Sequence, residues 1–169
     1  MSDRKQRIEA LGYDYDAQEK EYLSLCNVCG SEKLTQLTHT DRDGYNASVT
    51  ACNTCSTTFL NPRMTSQCYT DFYISTYRPL VSAYHGRLID AVTVQEDQRS
   101  YTKELVRLLI PFFIGKSYKT LLDIGGSTGI VALGLMKNYN LKTTLIDPAP
   151  DEVDEAKALG IESITEMLT

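Results

Sequence analysis

Four of the five cysteines fall in two pairs with two residues between the partners, Cys26 and Cys29 in LCNVCGS and Cys52 and Cys55 in ACNTCST. That spacer lets both thiolates of a pair reach one tetrahedral ion at about 2.3 Å. The glycine after the first pair relieves crowding where backbone amides turn toward sulfur. Two such knuckles, 22 residues apart, describe a four-cysteine ribbon around zinc. Four thiolates close the coordination sphere against substrate and water, so the ion would be structural, stabilising a segment too small to fold on its own core. The alternatives are four free cysteines or two redox pairs. A redox pair belongs at a strand-to-helix junction of a βαβ unit, and neither pair is placed there. Cys68 stands alone in a helical stretch and is read as packing.

A second stretch with chemical potential is LLDIGGSTGIVALGLM, residues 121 to 136, which reads as a buried strand, a glycine turn and a helix. Such a turn aims backbone amides and a positive helix end at a bound cofactor. No GK[ST] follows, which excludes a triphosphate loop. The dinucleotide pattern GxGxxG fails at Ser127. The variant GxxxGxG keeps Gly125 and Gly129 but meets Val131 at its last position, where helix and strand need to approach closely. A plain β-to-α turn is the alternative.

The elements that must position these groups follow from local patterning. Residues 1–20 mix charges and read as an N-terminal tail or frayed helix. In 21–62, KLTQLT, NASVTA and STTFL look like short strands, with a tight turn at DRDGYN. Residues 63–116 read as a helical linker of three segments, MTSQCYTDFYISTY, AYHGRLIDAVTVQED and QRSYTKELVRLLIPFF. In the last, Tyr101, Leu105, Leu108, Leu109 and Phe112 share one face, which predicts that this face is buried, and Pro111 should end or kink the helix. From 117 to 169 strands alternate with helices: KTLLDIG, GIVALGLMKNY, LKTTLID, DEVDEAKALG and IESITEM. This predicts a parallel sheet, and hence an α/β chain with a zinc-ribbon β module, a helical linker and part of a Rossmann-like domain. Three parallel strands with two helices leave apolar surface uncovered, so the chain is expected to be the N-terminal part of a larger protein or a truncated gene product.

Composition narrows the partners. Net charge is −5 with a pI near 5.0, and residues 21–62 carry Lys33 and Arg42 against Glu21, Glu32, Asp41 and Asp43. Phosphate backbones require an excess of positive charge, so no nucleic-acid partner is expected. The longest apolar run, LLIPFFI, is far short of the roughly 20 residues of a membrane span, and MSDRKQRIEALG has no apolar signal core. No membrane partner is expected, and a reducing cytoplasmic location would keep the thiols free for metal.

Read in order, CNVCGS, CNTCSTTFLNPRMT, DFYISTY, LLDIGGSTG and LIDPAPDEVDEAKALG resemble a subgroup of class I S-adenosylmethionine-dependent methyltransferases. In that subgroup, which includes sugar C-methyltransferases, an N-terminal zinc-binding domain precedes the catalytic domain. The match spans about residues 22 to 168. LLDIGGSTG is similar to the family's LDIGCGTG at Asp123, Gly125, Thr128 and Gly129, with Ser127 in place of its central glycine. The resemblance implies zinc on Cys26, Cys29, Cys52 and Cys55, and cofactor contacts from Gly125, Gly129 and Asp147, with Asp123 contributing. Tyr73 and Tyr77 would lie near the cleft, ordinary helix packing being their alternative. The cofactor carries an ammonium and a sulfonium, which suits an acid at a strand end, and Asp147 can accept hydrogen bonds from ribose hydroxyls. Solvated strand-end carboxylates are the alternative for both acids. The implied reaction is methyl transfer to a carbon or oxygen of a small, sugar-like acceptor such as a nucleotide sugar or polysaccharide precursor. A homo-oligomer is compatible with this. No catalytic base is assigned: His39 and His85 are the only histidines, and neither has a catalytic setting. A zinc-ribbon scaffold without catalysis and a nicotinamide-dependent oxidoreductase are the competing functions.

Overall fold

The computed structural model describes residues 3–167, and the outermost parts of the expected tail and sheet segments, residues 1, 2, 168 and 169, lie outside the described residues. The chain divides into two compact units, Met1–Phe72 with Pro79–Arg87, and Tyr73–Arg78 with Leu88–Thr169.

The first unit opens on a short helix, α1 (Asp3–Glu9), whose Ile8 is buried with Leu80 and Ala83. Residues 1–20 were expected only as a tail or frayed helix. Within them, Tyr15 also packs into a second small core with Ala47 and Met64, flanked by Cys68. Two-residue strands β1 (Lys20–Glu21) and β5 (Arg63–Met64) pair antiparallel. Strands β2 (Leu34–Thr38), β3 (Val49–Cys52) and β4 (Thr58–Leu60) form a three-stranded antiparallel sheet in the order β2-β3-β4. The turn between β2 and β3 is organised by Asp41, whose Oδ1 accepts from the amides of Asp43, Gly44 and Tyr45 at 2.9 Å each. Such side-chain capture of backbone amides is why Asp favours turns. Buried Asn61 plays the part of a strand neighbour to Leu23, accepting from its amide and donating to its carbonyl at 2.9 Å.

The helical stretch comprises α2 (Ser66–Ser75), α3 (Tyr77–His85) and α4 (Ala91–Phe113). The second and third expected segments divide differently: the break falls at Gly86, with φ of 69°, and Asp90 caps one continuous 23-residue helix by accepting from the Thr93 amide. Pro111 does not end α4, which continues past it to Phe113. The expected buried face is corrected as well. Leu108 and Phe112 are each 67% exposed and Tyr101 is exposed, whereas Val94 and Thr102 are buried. The reason is the crossing with the next helix, α5 (Ile130–Tyr139): Gly134 comes so close that a Cβ there would stand 2.2 Å from the Thr102 methyl. Small residues permit that approach. Phe113 stacks on Tyr139 at 3.9 Å, and the Tyr139 hydroxyl donates to the Val106 carbonyl.

The second unit's sheet is parallel, with β6 (Thr120–Ile124), β7 (Lys142–Asp147) and β8 (Glu162–Thr165) in the order β6-β7-β8 and with α5 and α6 (Pro150–Ala158) as the connections. Its core gathers Ala132, Leu145, Val153, Ala156 and Ile161 on one face. On the opposite face Leu122, Ile124 and Ile164 are 55%, 53% and 40% exposed. The register pairs Ile124 with Ile146 and Ile146 with Ile164, so these side chains form one open apolar row. No helix among the described residues is long and apolar enough to cross a membrane.

Candidate functional site

In the first unit the two cysteine pairs sit in matching knuckles. Gly30 donates to the Cys26 carbonyl at 2.8 Å and Ser56 to the Cys52 carbonyl at 2.9 Å, while Cys26 and Cys52 donate to the carbonyls of Ser31 and Thr57, both at 2.9 Å. Both turns pass through left-handed backbone, φ 70° at Gly30 and 65° at Ser56, and so fold the second sulfur back beside the first. The sulfurs of Cys26 and Cys55, and those of Cys29 and Cys52, lie 3.6 Å apart, and all four are within 4.8 Å of one another. Bonds of about 2.3 Å to a tetrahedral ion would set edges of roughly 3.8 Å. The four-cysteine group is thus positioned to hold a metal ion, with Cys26 and Cys52 buried and Cys29 at the surface.

The protons report the same crowding. The Thr57 hydroxyl and amide bring Cys55 down to about 6, and the Cys55 amide lowers Cys52. Cys29 receives help from the Ser31 amide, yet its sulfur neighbours push it up to about 12. Four adjacent thiolates repel one another until a cation compensates them.

The second unit carries a cavity of about 530 Å³ lined in part by Gly125, Ser127, Asp147, Glu152, Tyr73, Tyr77 and Arg78. It opens where β6 and β7 end, at the glycine turn and the start of α6. The turn is tied to the sheet by the Gly125 amide, which donates to the Ile146 carbonyl at 2.7 Å. Nothing lies within 4 Å of a Cβ built on Gly125, so its cavity side is open. At Gly126 such an atom would meet Leu145 Cδ1 at 2.5 Å, so the turn lies directly on the strand.

Asp147 is buried, and both its oxygens are engaged: Oδ2 accepts from the Ser127 amide and Oδ1 from the Ala149 amide, each at 2.9 Å. Burial raises its pKa, the two amides oppose that, and Glu152 raises it further while Arg78 lowers it. Asp123 is raised by burial and then by Asp147, and its Oδ2 is buried without a hydrogen-bond partner. Tyr73 and Tyr77 stand with ring centroids 5.2 Å apart, and Tyr73 is raised by burial, Tyr77 and Asp147.

Of the residues singled out from sequence, Gly125, Asp147, Tyr73 and Tyr77 line the cavity. Asp123 lies beneath the turn, its Oδ2 2.9 Å from where a Gly126 Cβ would stand. Gly129 faces elsewhere: a Cβ there would meet Ile161 at 2.8 Å and Ala156 at 2.9 Å, so it admits α6 close to the start of α5. Among the other lining residues, Arg78 and Glu152 have no role in the sequence reading, and Ser127 figures there only in place of a glycine. Arg78 pairs with Glu152 through Nε and donates from Nη2 to Ser127 Oγ at 3.0 Å, and Ser127 Oγ donates to the second oxygen of Glu152. The one local hint was Glu152 in the first turn of α6, where an acid suits the positive helix end.

Compared with protein-family models and with curated proteins, the chain matches none.

Proposed function

We propose that the second unit binds S-adenosylmethionine as part of an enzyme that transfers a methyl group to a carbon or oxygen of a small, sugar-like acceptor. The four-cysteine module would hold a structural zinc. The observation that carries the reading is the Asp147 carboxylate at the end of β7, in a cavity whose other charged lining residues are the acids Glu152 and Glu166 and the cation Arg78, which pairs with Glu152. A cationic nucleoside suits that wall, and the anionic pyrophosphate of a nicotinamide cofactor does not.

The bound sulfonium supplies the methyl group. The chain's own part is to bind and orient. Asp147 keeps lone pairs for ribose hydroxyls after accepting its two amides. Gly125 lets a ligand approach the backbone, and Tyr73 and Tyr77 give the cavity an aromatic wall against water. Asp123 holds a buried oxygen with no partner, suited to a cationic group. Alignment of methyl and acceptor is then a matter of positioning, which supplies much of the rate in an in-line displacement.

Calorimetric titration of the full chain tests this. Saturable binding of S-adenosylmethionine is expected, with no comparable binding of NAD+, and Asp147→Asn should weaken it by about tenfold or more, the worth of a charge-assisted hydrogen bond. Preference for NAD+ overturns the reading. For the metal, elemental analysis should find about one zinc per chain. Cys52→Ser should abolish it and lower the melting temperature, and unaltered zinc content in that variant would sink the assignment.

A further inference from the structure

The cavity wall contains a closed ring of three side chains. Arg78 gives Nε to one oxygen of Glu152 and Nη2 to Ser127 Oγ, whose hydrogen goes to the other oxygen of Glu152. Each partner is satisfied by the other two, and Glu152 and Arg78 have side chains only 9% and 26% exposed. Ser127 is also the residue whose amide donates to Asp147, and it does so from left-handed backbone at φ 53°. A serine adopts that conformation only at a cost, and the two side-chain bonds hold it there. The ring therefore fixes the direction of the amide that faces Asp147.

We propose that Arg78 is a positioning residue of the cofactor cavity, acting through Ser127 and Glu152 to aim the turn at Asp147 and to offset the charge of Glu152 beside it. This rests on the nucleoside-binding reading above. The charged and titratable groups around Asp147 are Asp123 from β6, Glu152 from α6, Tyr73 from α2, Tyr77 and Arg78 from α3, and Glu166 just after β8, whose amide donates to the Asp147 carbonyl. Arg78 is the only cation among them. Without it Glu152 is a buried, uncompensated acid beside a second one, and the two cannot both stay charged as readily.

The test is titration of the full chain with S-adenosylmethionine between pH 5 and 8, alongside thermal melts. A ligand that needs the Asp147 carboxylate loses affinity as pH falls through its pKa. Arg78→Gln removes a lowering influence, so the acid limb should move to higher pH and affinity at pH 7 should fall by about tenfold. Removing the acid as well, in Arg78→Gln with Glu152→Gln, should return the limb toward the wild-type position. Arg78→Lys keeps the charge but not the fork, so its limb should stay while affinity drops. Ser127→Gly should keep the melting temperature and lose affinity, because glycine needs no help at positive φ. Wild-type binding with an unshifted limb in Arg78→Gln overturns the inference alone. A wild-type chain that binds no S-adenosylmethionine overturns the functional reading and this inference with it. Should Arg78→Gln fail to fold, an unaltered affinity in both Arg78→Lys and Ser127→Gly overturns the inference.

Discussion

Two adjacent glycines in the turn after β6 do different jobs, and substitution separates them. Gly126→Ala forces a methyl to within 2.5 Å of Leu145, which is fully buried, and 2.9 Å of the Asp123 carboxylate. Overpacking of this kind costs about 1–3 kcal/mol. Gly125→Ala meets no neighbour, and carries only the backbone cost of φ 72°, about 1–2 kcal/mol. Thermal melts should place Gly126→Ala below Gly125→Ala, and the reverse order would mean that backbone conformation outweighs packing here. At this scale the sequence was legible wherever chemistry is local. A two-residue spacer brings two thiols together by itself, and an acid ending a strand before a proline is placed by that strand. Arg78 and Glu152 are 74 positions apart, and no short pattern announces their meeting.

The helix crossing of α4 on α5 shows why periodicity alone misread a face. The apolar stripe Tyr101, Leu108, Phe112 satisfies the helical period, yet the contact is made where Thr102 meets Gly134. Closeness decides such a crossing: a missing side chain on one helix lets a small one on the other reach the backbone. Gly134→Ala should therefore destabilise the second unit by about 1–3 kcal/mol. Thr102→Ser removes the methyl in the way and should recover part of that loss, so the two changes together cost less than their sum. Strict additivity in a double-mutant cycle would show that the helices separate instead of clashing. The strands and their order of appearance were legible, because alternation and continuous apolar runs are set by backbone geometry residue by residue. Which face of a long helix is covered depends on its neighbour, and a gap of one side chain in that neighbour carries little signal.

Across the molecule the alternation of strand and helix from 120 onward produces a parallel sheet, as the patterning implies, and the antiparallel ribbon of the first unit follows its turn residues equally well. Less visible beforehand was where solvent would touch the sheet. Leu122, Ile124 and Ile164 are already about half exposed on the open face, so unfolding exposes only the other half of each. Newly exposed apolar surface is what gives unfolding its large positive heat-capacity change, ordinarily about 12–15 cal/mol/K per residue. Scanning calorimetry should find a smaller value per residue for this chain, and a correspondingly flatter dependence of its stability on temperature. A heat-capacity change at or above the ordinary figure would mean that something in solution already shelters that face. The row of isoleucine and leucine on the bare side of the sheet is thus also a thermal property of the protein: it takes a small share out of the bend in the chain's stability between cold and warm.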